Sequence, residues 1–314
     1  MKKVICVLMV LLCVCGCSQN SRIKYRVGVV QLVQHDALDS ATKGFVDVLQ
    51  NEFKDEIDIV VENGSGDSNT CTTIASSFVA ENVDLIMANA TPALLATKNA
   101  TNSIPVLGTS ITEYGVALGI DNFDGLVGTN VSGTSDLAPL DQQAQMIVDL
   151  FPNAKKVGIL YCSGEPNSKY QVEQITKYLS DLKIEVLTFK FTDSNDLSGV
   201  AQTACEDIDV LYIPTDNTCA SNGPLIAEAA NRSSVPIITG EKDTCIKCEG
   251  LATLSIDYYD LGRKTGEMAI KVLKGEDISK IKIETSDNPQ KMYIKKVAEK
   301  YGITMPSDYI EIGD

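Results

Sequence analysis

Short β-branched and aliphatic runs alternate along this chain with longer stretches of helical period. Residues 26–30 read as a buried strand, and residues 156–160 repeat them closely, with Val27-Gly28-Val29 answered by Val157-Gly158-Ile159. Residues 83–87 have a counterpart in 208–212, and residues 103–107 in 234–238. Asp84 to Pro105 spans 21 residues and Asp209 to Pro236 spans 27. Three ordered matches at comparable spacing predict one lobe written twice. Between them, Leu38, Ala41, Phe45, Val48 and Leu49 form a stripe of period 3.6, as do Leu140, Ala144, Ile147, Val148 and Phe151. Strand runs alternating with amphipathic helices indicate an α/β class, with two Rossmann-like lobes of parallel sheet flanked by helices and buried on both faces. The pattern assigns residues 25–135 plus 251–275 to the first lobe. Residues 136–250 plus 276–314 fall to the second lobe and a C-terminal crossover segment. A last strand is expected near 281–284 and a last helix over 289–300. Several crossings between lobes make a hinge, and a hinge beneath a cleft is a ligand clamp.

The N-terminus changes what counts as the working chain. Lys2 and Lys3 precede an uncharged stretch from Val4 to Cys17. That is too short to span a hydrocarbon core of ~30 Å, and it reads as an export signal over residues 1–16. Gly16 before Cys17 is similar to a bacterial lipoprotein cleavage site, so Cys17 is the expected lipidation point and residues 17–24 a polar tether. A secretory signal cut without lipidation is the alternative. Acyl chains on Cys17 would provide a stable anchor at the outer face of the cell membrane. No later stretch is long enough to cross a bilayer.

Charge and composition then remove whole classes of function. The formal charge is −15, and loss of Lys2 and Lys3 takes it to −17, which argues against a nucleic-acid partner. His35 is the single histidine. Without a second one to assist it, a hydrogen-bonding role in the cleft or hinge is expected rather than metal or acid–base work. No phosphate-binding glycine loop, nucleophile elbow or zincin motif occurs, so no cofactor is called for and no enzyme is expected. Cys71, Cys162, Cys205, Cys219, Cys245 and Cys248 follow Cys17. Export permits disulfides, but the pairing is open. Cys245 and Cys248 form either a turn disulfide or two unpaired surface thiols.

Ligands of open α/β sheets sit beyond the carboxyl ends of the strands, and polar residues collect there. In the first lobe these are Gln31 and His35, then Asn89 and Thr91, then Thr109 and Ser110. In the second they are Glu165, Asn167 and Ser168, then Asp216 and Asn217, then Glu241 and Asp243. Thr91 is read as an N-cap before Pro92, whose helix start would receive a carboxylate. Asp216 and Asn217 would face an amine.

Taken together, these segments resemble the ABC-transporter substrate-binding family that includes the tryptophan-binding lipoproteins of Gram-positive bacteria. The resemblance rests on Gln31, His35, Ala37-Leu38-Asp39 and Gly44-Phe45, on Asp84-Leu85-Ile86 with Ala90-Thr91-Pro92-Ala93, and on Asn130 to Asp136 with Pro139. It continues through Tyr161, Glu165, Asn167-Ser168, Pro214-Thr215-Asp216-Asn217, Ala220-Ser221 and Ala252 to Gly266. The run from Asn130 adds Thr134 and Ser135 to the candidate ligand residues. The resemblance implies a type I periplasmic-binding-protein fold and an extracellular, lipid-anchored monomer that delivers an amino acid, an aromatic one above all, to a permease and its ATPase. A sugar, a nucleoside or a signalling ligand is the competing expectation. The sequence departs from the family at Gln34, Asn89, Glu113-Tyr114 and Cys162, which bears on the ligand more than on the fold.

Overall fold

A computed structural model describes residues 23–286 and 288–313; the export signal and Cys17 lie outside the described residues. The first lobe opens with strand β1 (Tyr25–Gln31), helix α1 (Asp36–Phe53), β2 (Ile57–Asn63) and α2 (Ser68–Ala80). It continues with β3 (Leu85–Asn89), α3 (Thr91–Ala100), β4 (Val106–Ile111), α4 (Tyr114–Leu118) and β5 (Val131–Ser135). The second lobe follows as α5 (Leu140–Leu150), β6 (Lys156–Cys162), α6 (Pro166–Asp181), β7 (Glu185–Phe191) and α7 (Ser194–Ala204). Then come β8 (Val210–Ile213), α8 (Asn217–Ser221), α9 (Gly223–Ser233), β9 (Ile237–Thr239), α10 (Lys242–Lys247) and β10 (Ala252–Ser255). The chain returns to the first lobe through α11 (Tyr258–Leu273) and β11 (Glu284–Thr285), and ends in the second with β12 (Gln290–Tyr293), α12 (Lys295–Tyr301) and β13 (Ile310–Glu311).

The sheets run β11-β5-β4-β3-β1-β2 and β13-β12-β10-β9-β8-β6-β7. Their pairings are parallel except β10 with β12. The repeat seen in the sequence is therefore two doubly wound lobes. Helices on both faces bury β3 and β4 along their whole length, which is why each opens on an unbroken apolar run, Leu85 to Ala88 and Val106-Leu107, rather than alternating. Each sheet separates two apolar cores, one on either face.

Three segments connect the lobes, at 136–139, 256–257 and 286–289. The sequence reading misplaced two pieces beside them. Residues 251–255 belong to the second sheet, because β10 pairs with β9 and β12. Residues 276–285 stay with the first lobe, where β11 pairs with β5. The helix expected over 289–300 is a strand followed by a shorter helix, since antiparallel pairing with β10 takes residues 290–293 first.

The return of α11 is held by an unusually close approach to α1. A Cβ on Gly262 would lie 1.9 Å from the Ala41 carbonyl oxygen, and one on Gly44 would lie 2.1 Å from that of Tyr259. Only glycine lets these two backbones touch. Ala37, Ala41, Ile256, Tyr258 and Leu261 form a small apolar cluster at the same end, directly under the cleft.

Candidate functional site

The carboxyl ends of β1, β4, β6, β8 and β9 converge between the lobes on a narrow, polar cavity. His35, Leu38, Ser110, Thr112 and Asp136 line it from the first lobe and the first crossing. Asn167, Asp216, Asn217, Glu241, Thr244 and Tyr258 line it from the second lobe and the start of α11. Two contacts hold the lobes together across it: His35 Nε2 lies 3.2 Å from Asn217 Oδ1, and Lys247 Nζ lies 3.2 Å from Asp36 Oδ2. A larger groove, with about 1130 Å³ of open space, runs along the outer side past Val33, Pro92, Cys162, Glu165 and Asn217.

The polar wall of the cavity is unusual in what it leaves unpaired. Buried side-chain atoms normally have hydrogen-bond partners. Here His35 Nδ1, Ser110 Oγ, Asp136 Oδ1, Asn167 Oδ1 and Thr244 Oγ1 are buried with none, and all five residues line this one cavity. Thr91 Oγ1 is a sixth such atom, beside Asn167 in an adjoining recess. Local backbone strain serves the same end. Ser110 is held at φ 56° where the β4–β5 register shifts, and Ala90 at φ 86° turns the chain into α3. Non-glycine residues hold such angles at a cost of order 1–3 kcal/mol, and such strain concentrates at ligand sites. Ala90, rather than Thr91, is the N-cap of α3. The Thr91 hydroxyl is thereby left out of capping.

The acids divide into two kinds. Asp216 Oδ2 accepts from the Cys162 N–H and the Ser168 hydroxyl, each at 2.7 Å, and Oδ1 accepts from the Cys219 N–H. Burial, reinforced by the Glu165 charge, raises its pKa to about 7. Glu165 accepts from the side chains of Asn167, Asn217 and Thr218 and from the backbone N–H groups of Asn217 and Thr218. Glu241 caps α10 through the Asp243 and Thr244 N–H groups, and burial raises it to about 7. These carboxylates tie elements of the second lobe together. Asp136 differs: Oδ2 accepts from the Tyr258 hydroxyl at 2.9 Å, while Oδ1 has no partner. Burial raises its pKa to about 6. His35, also in the wall, has its pKa lowered, chiefly by burial.

Of the residues singled out in the sequence, His35, Ser110, Asn167, Asp216, Asn217 and Glu241 line the cavity, Thr91 the recess beside it, and Glu165 the groove. The others stand behind the wall. Gln31 bonds Asp39 and Thr42, and Asn89 bonds Leu38 and Thr42, so both brace the start of α1. Thr109 and Thr134 join Thr265 in a buried hydroxyl chain, Ser135 holds the Thr112 carbonyl, and Ser168 holds Asp216. Asp243 sits on α10 beside Lys242, off the cavity wall. Cys245 and Cys248 are neither bridged nor on the surface. Both are buried free thiols, and they join different apolar clusters of the second lobe. Thr112, Asp136, Thr244 and Tyr258 also line the cavity and were not among the candidates read from the sequence. Asp136 and Tyr258 flank the lobe crossings, and the crossings were the signal that could have found them.

The family of ABC transporter substrate binding proteins matches residues 26–311. A tyrosine-binding protein from Clostridioides difficile is 37% identical over 291 residues, covering 88% of this chain and 84% of its own. An ABC domain from Streptococcus pneumonia in complex with L-Trp is 34% identical, with a TM-score of 0.86 over 90% of this chain and 96% of its own. The ligand-free, open structure of a substrate-binding protein with adhesive properties from Clostridium difficile is 36% identical and covers 92% of this chain and 99% of its own, yet its TM-score is 0.70. At similar identity the L-Trp complex superposes better than the open form, as the interlobe contacts of His35 and Lys247 lead one to expect. The chain belongs to the ABC transporter substrate-binding protein family.

Proposed function

We propose that the chain is the receptor of an amino-acid importer, and that it grips the α-ammonium and α-carboxylate of an aromatic amino acid between its lobes. The observation that carries this reading is the set of buried, unpartnered atoms around one cavity. An ammonium has three N–H donors, and His35 Nδ1, Asp136 Oδ1 and Asn167 Oδ1 are three buried atoms that lack protein partners. One lies on the first lobe, one on the crossing and one on the second lobe, so a single ligand group would bond all three only when the lobes are together. The hydroxyls of Ser110 and Thr91 and the N–H groups opening α3 suit the carboxylate. The side chain would leave toward the larger groove, whose wall includes Leu32, Val33 and Pro92. Relatives that bind tyrosine or L-Trp support the aromatic class. A neutral sugar or nucleoside would leave Asp136 without a cation.

Binding proceeds without chemistry: differential affinity for the closed arrangement draws the lobes together, and a permease with its ATPase receives the cargo. Cys17 would carry the acyl anchor that keeps a monomeric receptor at the extracellular face of the membrane. Calorimetry on residues 18–314 with a panel of amino acids tests the reading. Saturable binding of tyrosine, tryptophan or phenylalanine without turnover is expected. Binding of a sugar or nucleoside, with no amino acid bound, would overturn it. Mass spectrometry of the mature N-terminus tests the anchor, with an acylated Cys17 expected.

A further inference from the structure

We propose that Glu165 is a positioning residue that sets the hydrogen-bond polarity of the cleft: by orienting the Asn217 amide it makes the only histidine an acceptor aimed at the ligand, and it helps to hold Asn167 as another. The proposal rests on the amino-acid reading above and adds the reason why the site would select an ammonium. An ionised carboxylate only accepts hydrogen bonds. Glu165 Oε2 receives the Asn217 side-chain amide at 2.6 Å and the Asn167 side-chain amide at 3.1 Å; the Asn167 N–H₂ also reaches the Thr215 carbonyl at 3.2 Å and the Ser168 hydroxyl at 3.3 Å. Turning either amide over would set a carbonyl oxygen against that carboxylate oxygen at the same distance. The carboxylate therefore decides which end of the Asn217 amide faces His35, and it joins the Thr215 carbonyl in turning the Asn167 oxygen toward the cavity.

Two consequences follow from that orientation. The Asn167 carbonyl oxygen is left buried and without a partner on the cavity wall. The Asn217 carbonyl oxygen is presented to His35 Nε2 across the interlobe gap at 3.2 Å. An amide oxygen can only accept, so Nε2 must carry the ring proton. Burial favours the neutral ring, which leaves Nδ1 as a bare lone pair, buried and without a partner. One carboxylate in the second lobe thus fixes the tautomer of a histidine in the first. Together with Asp136 Oδ1, the Asn167 oxygen and His35 Nδ1 give the ligand's ammonium three acceptors. A hydroxyl in place of the ammonium offers one donor for three of them.

The remaining bonds of Glu165, from the N–H and hydroxyl of Thr218 and from the Asn217 N–H, hold the start of α8. A purely structural role would end there and would not reach the histidine ring. The test uses that difference. His35 is the only histidine in the chain, so its ring nitrogens give one unambiguous set of ¹⁵N resonances. In the wild type closed by L-phenylalanine, or by whatever solute co-purifies with it, the ring should be protonated at Nε2 and unprotonated at Nδ1; a ring protonated at Nδ1 overturns the proposal whether or not any variant folds. In the folded Glu165→Gln variant the tautomer should become mixed or switch, because a glutamine cannot accept from both amides on the same terms; an unchanged tautomer overturns it. Asn217→Ala, which removes the acceptor opposite Nε2, should likewise release the tautomer. The binding arm compares L-phenylalanine with L-phenyllactate. A wild-type preference for the amine of about 100-fold is expected, falling about tenfold or more in Glu165→Gln, and an unaltered preference overturns the proposal. If the tautomer behaves as described and no amino acid binds, the functional reading fails while the positioning role stands. Amino-acid binding with the opposite tautomer has the reverse meaning.

Discussion

Replacing Asp136 with asparagine should make the protein more stable without ligand and a much poorer receptor. The substitution keeps the shape of the side chain and an oxygen for the Tyr258 hydroxyl, which lies 2.9 Å from Oδ2, but it removes the charge. Burial lifts the Asp136 pKa from 3.8 to about 6. At ~1.4 kcal/mol per pH unit, holding this group ionised at pH 7 costs the folded state up to ~3 kcal/mol. The folded-state pKa lies above the unfolded one, so protonation favours folding. This contribution to stability is greatest below pH 4, is lost as the pH rises to 6, and stays absent above it. Asp136→Asn removes the penalty, and unfolding at pH 7 should require about 1–3 kcal/mol more than in wild type. Ligand binding moves the other way. Removing one partner of a buried, hydrogen-bonded charge pair costs about 2–5 kcal/mol, which weakens the Kd roughly 30- to 5,000-fold. Denaturant unfolding without ligand and calorimetry with the amino acid give the two numbers independently. A variant that is less stable than wild type and binds as well would refute both the burial argument and the ammonium assignment.

The wild-type affinity should be level above pH 6 and fall below it as Asp136 takes up its proton, and calorimetry across pH 5 to 8 should find that this fall is largely gone in Asp136→Asn; His35, Asp216, Glu241 and Tyr258 border the same cavity and govern what titration remains. Tyr258→Phe deletes the hydrogen bond that lowers the Asp136 pKa, so the midpoint of the fall should move to higher pH in the same measurement. Gly262→Ala drives a methyl group to within 1.9 Å of the Ala41 carbonyl oxygen; thermal unfolding should show a loss of about 2 kcal/mol or more, since backbone rather than a flexible side chain must give way. The six cysteines among the described residues are buried free thiols, with burial raising Cys71 and Cys205 to about 11 and Cys245 to about 12. Residues 18–314 should therefore react slowly with a thiol reagent at pH 8 when native and at six sites when unfolded.

Local pattern carried the sequence a long way. The apolar run that opens β3 and the period-3.6 stripes in α1 and α5 are properties of ten or so neighbouring residues, so the doubled lobe could be read from such local patterns. The polar strand ends pointed to the cleft for the same reason, and His35, Ser110, Asn167 and Asn217 lie in its wall. What the pattern could not carry was partnership over distance. Residues 290–293 became a strand because β10 offered an edge to pair with. Cys245 and Cys248, three positions apart, became buried free thiols that join different apolar clusters of the second lobe. The acids make the point most sharply. Asp216 looked like the cation-binding residue, yet the fold surrounds it with Cys162, Ser168 and Cys219 as donors. Asp136 is left one oxygen short of a partner. A carboxylate's chemistry depends on which donors reach it, and those donors come from residues 3 to 122 positions away, where only the tertiary structure brings them together.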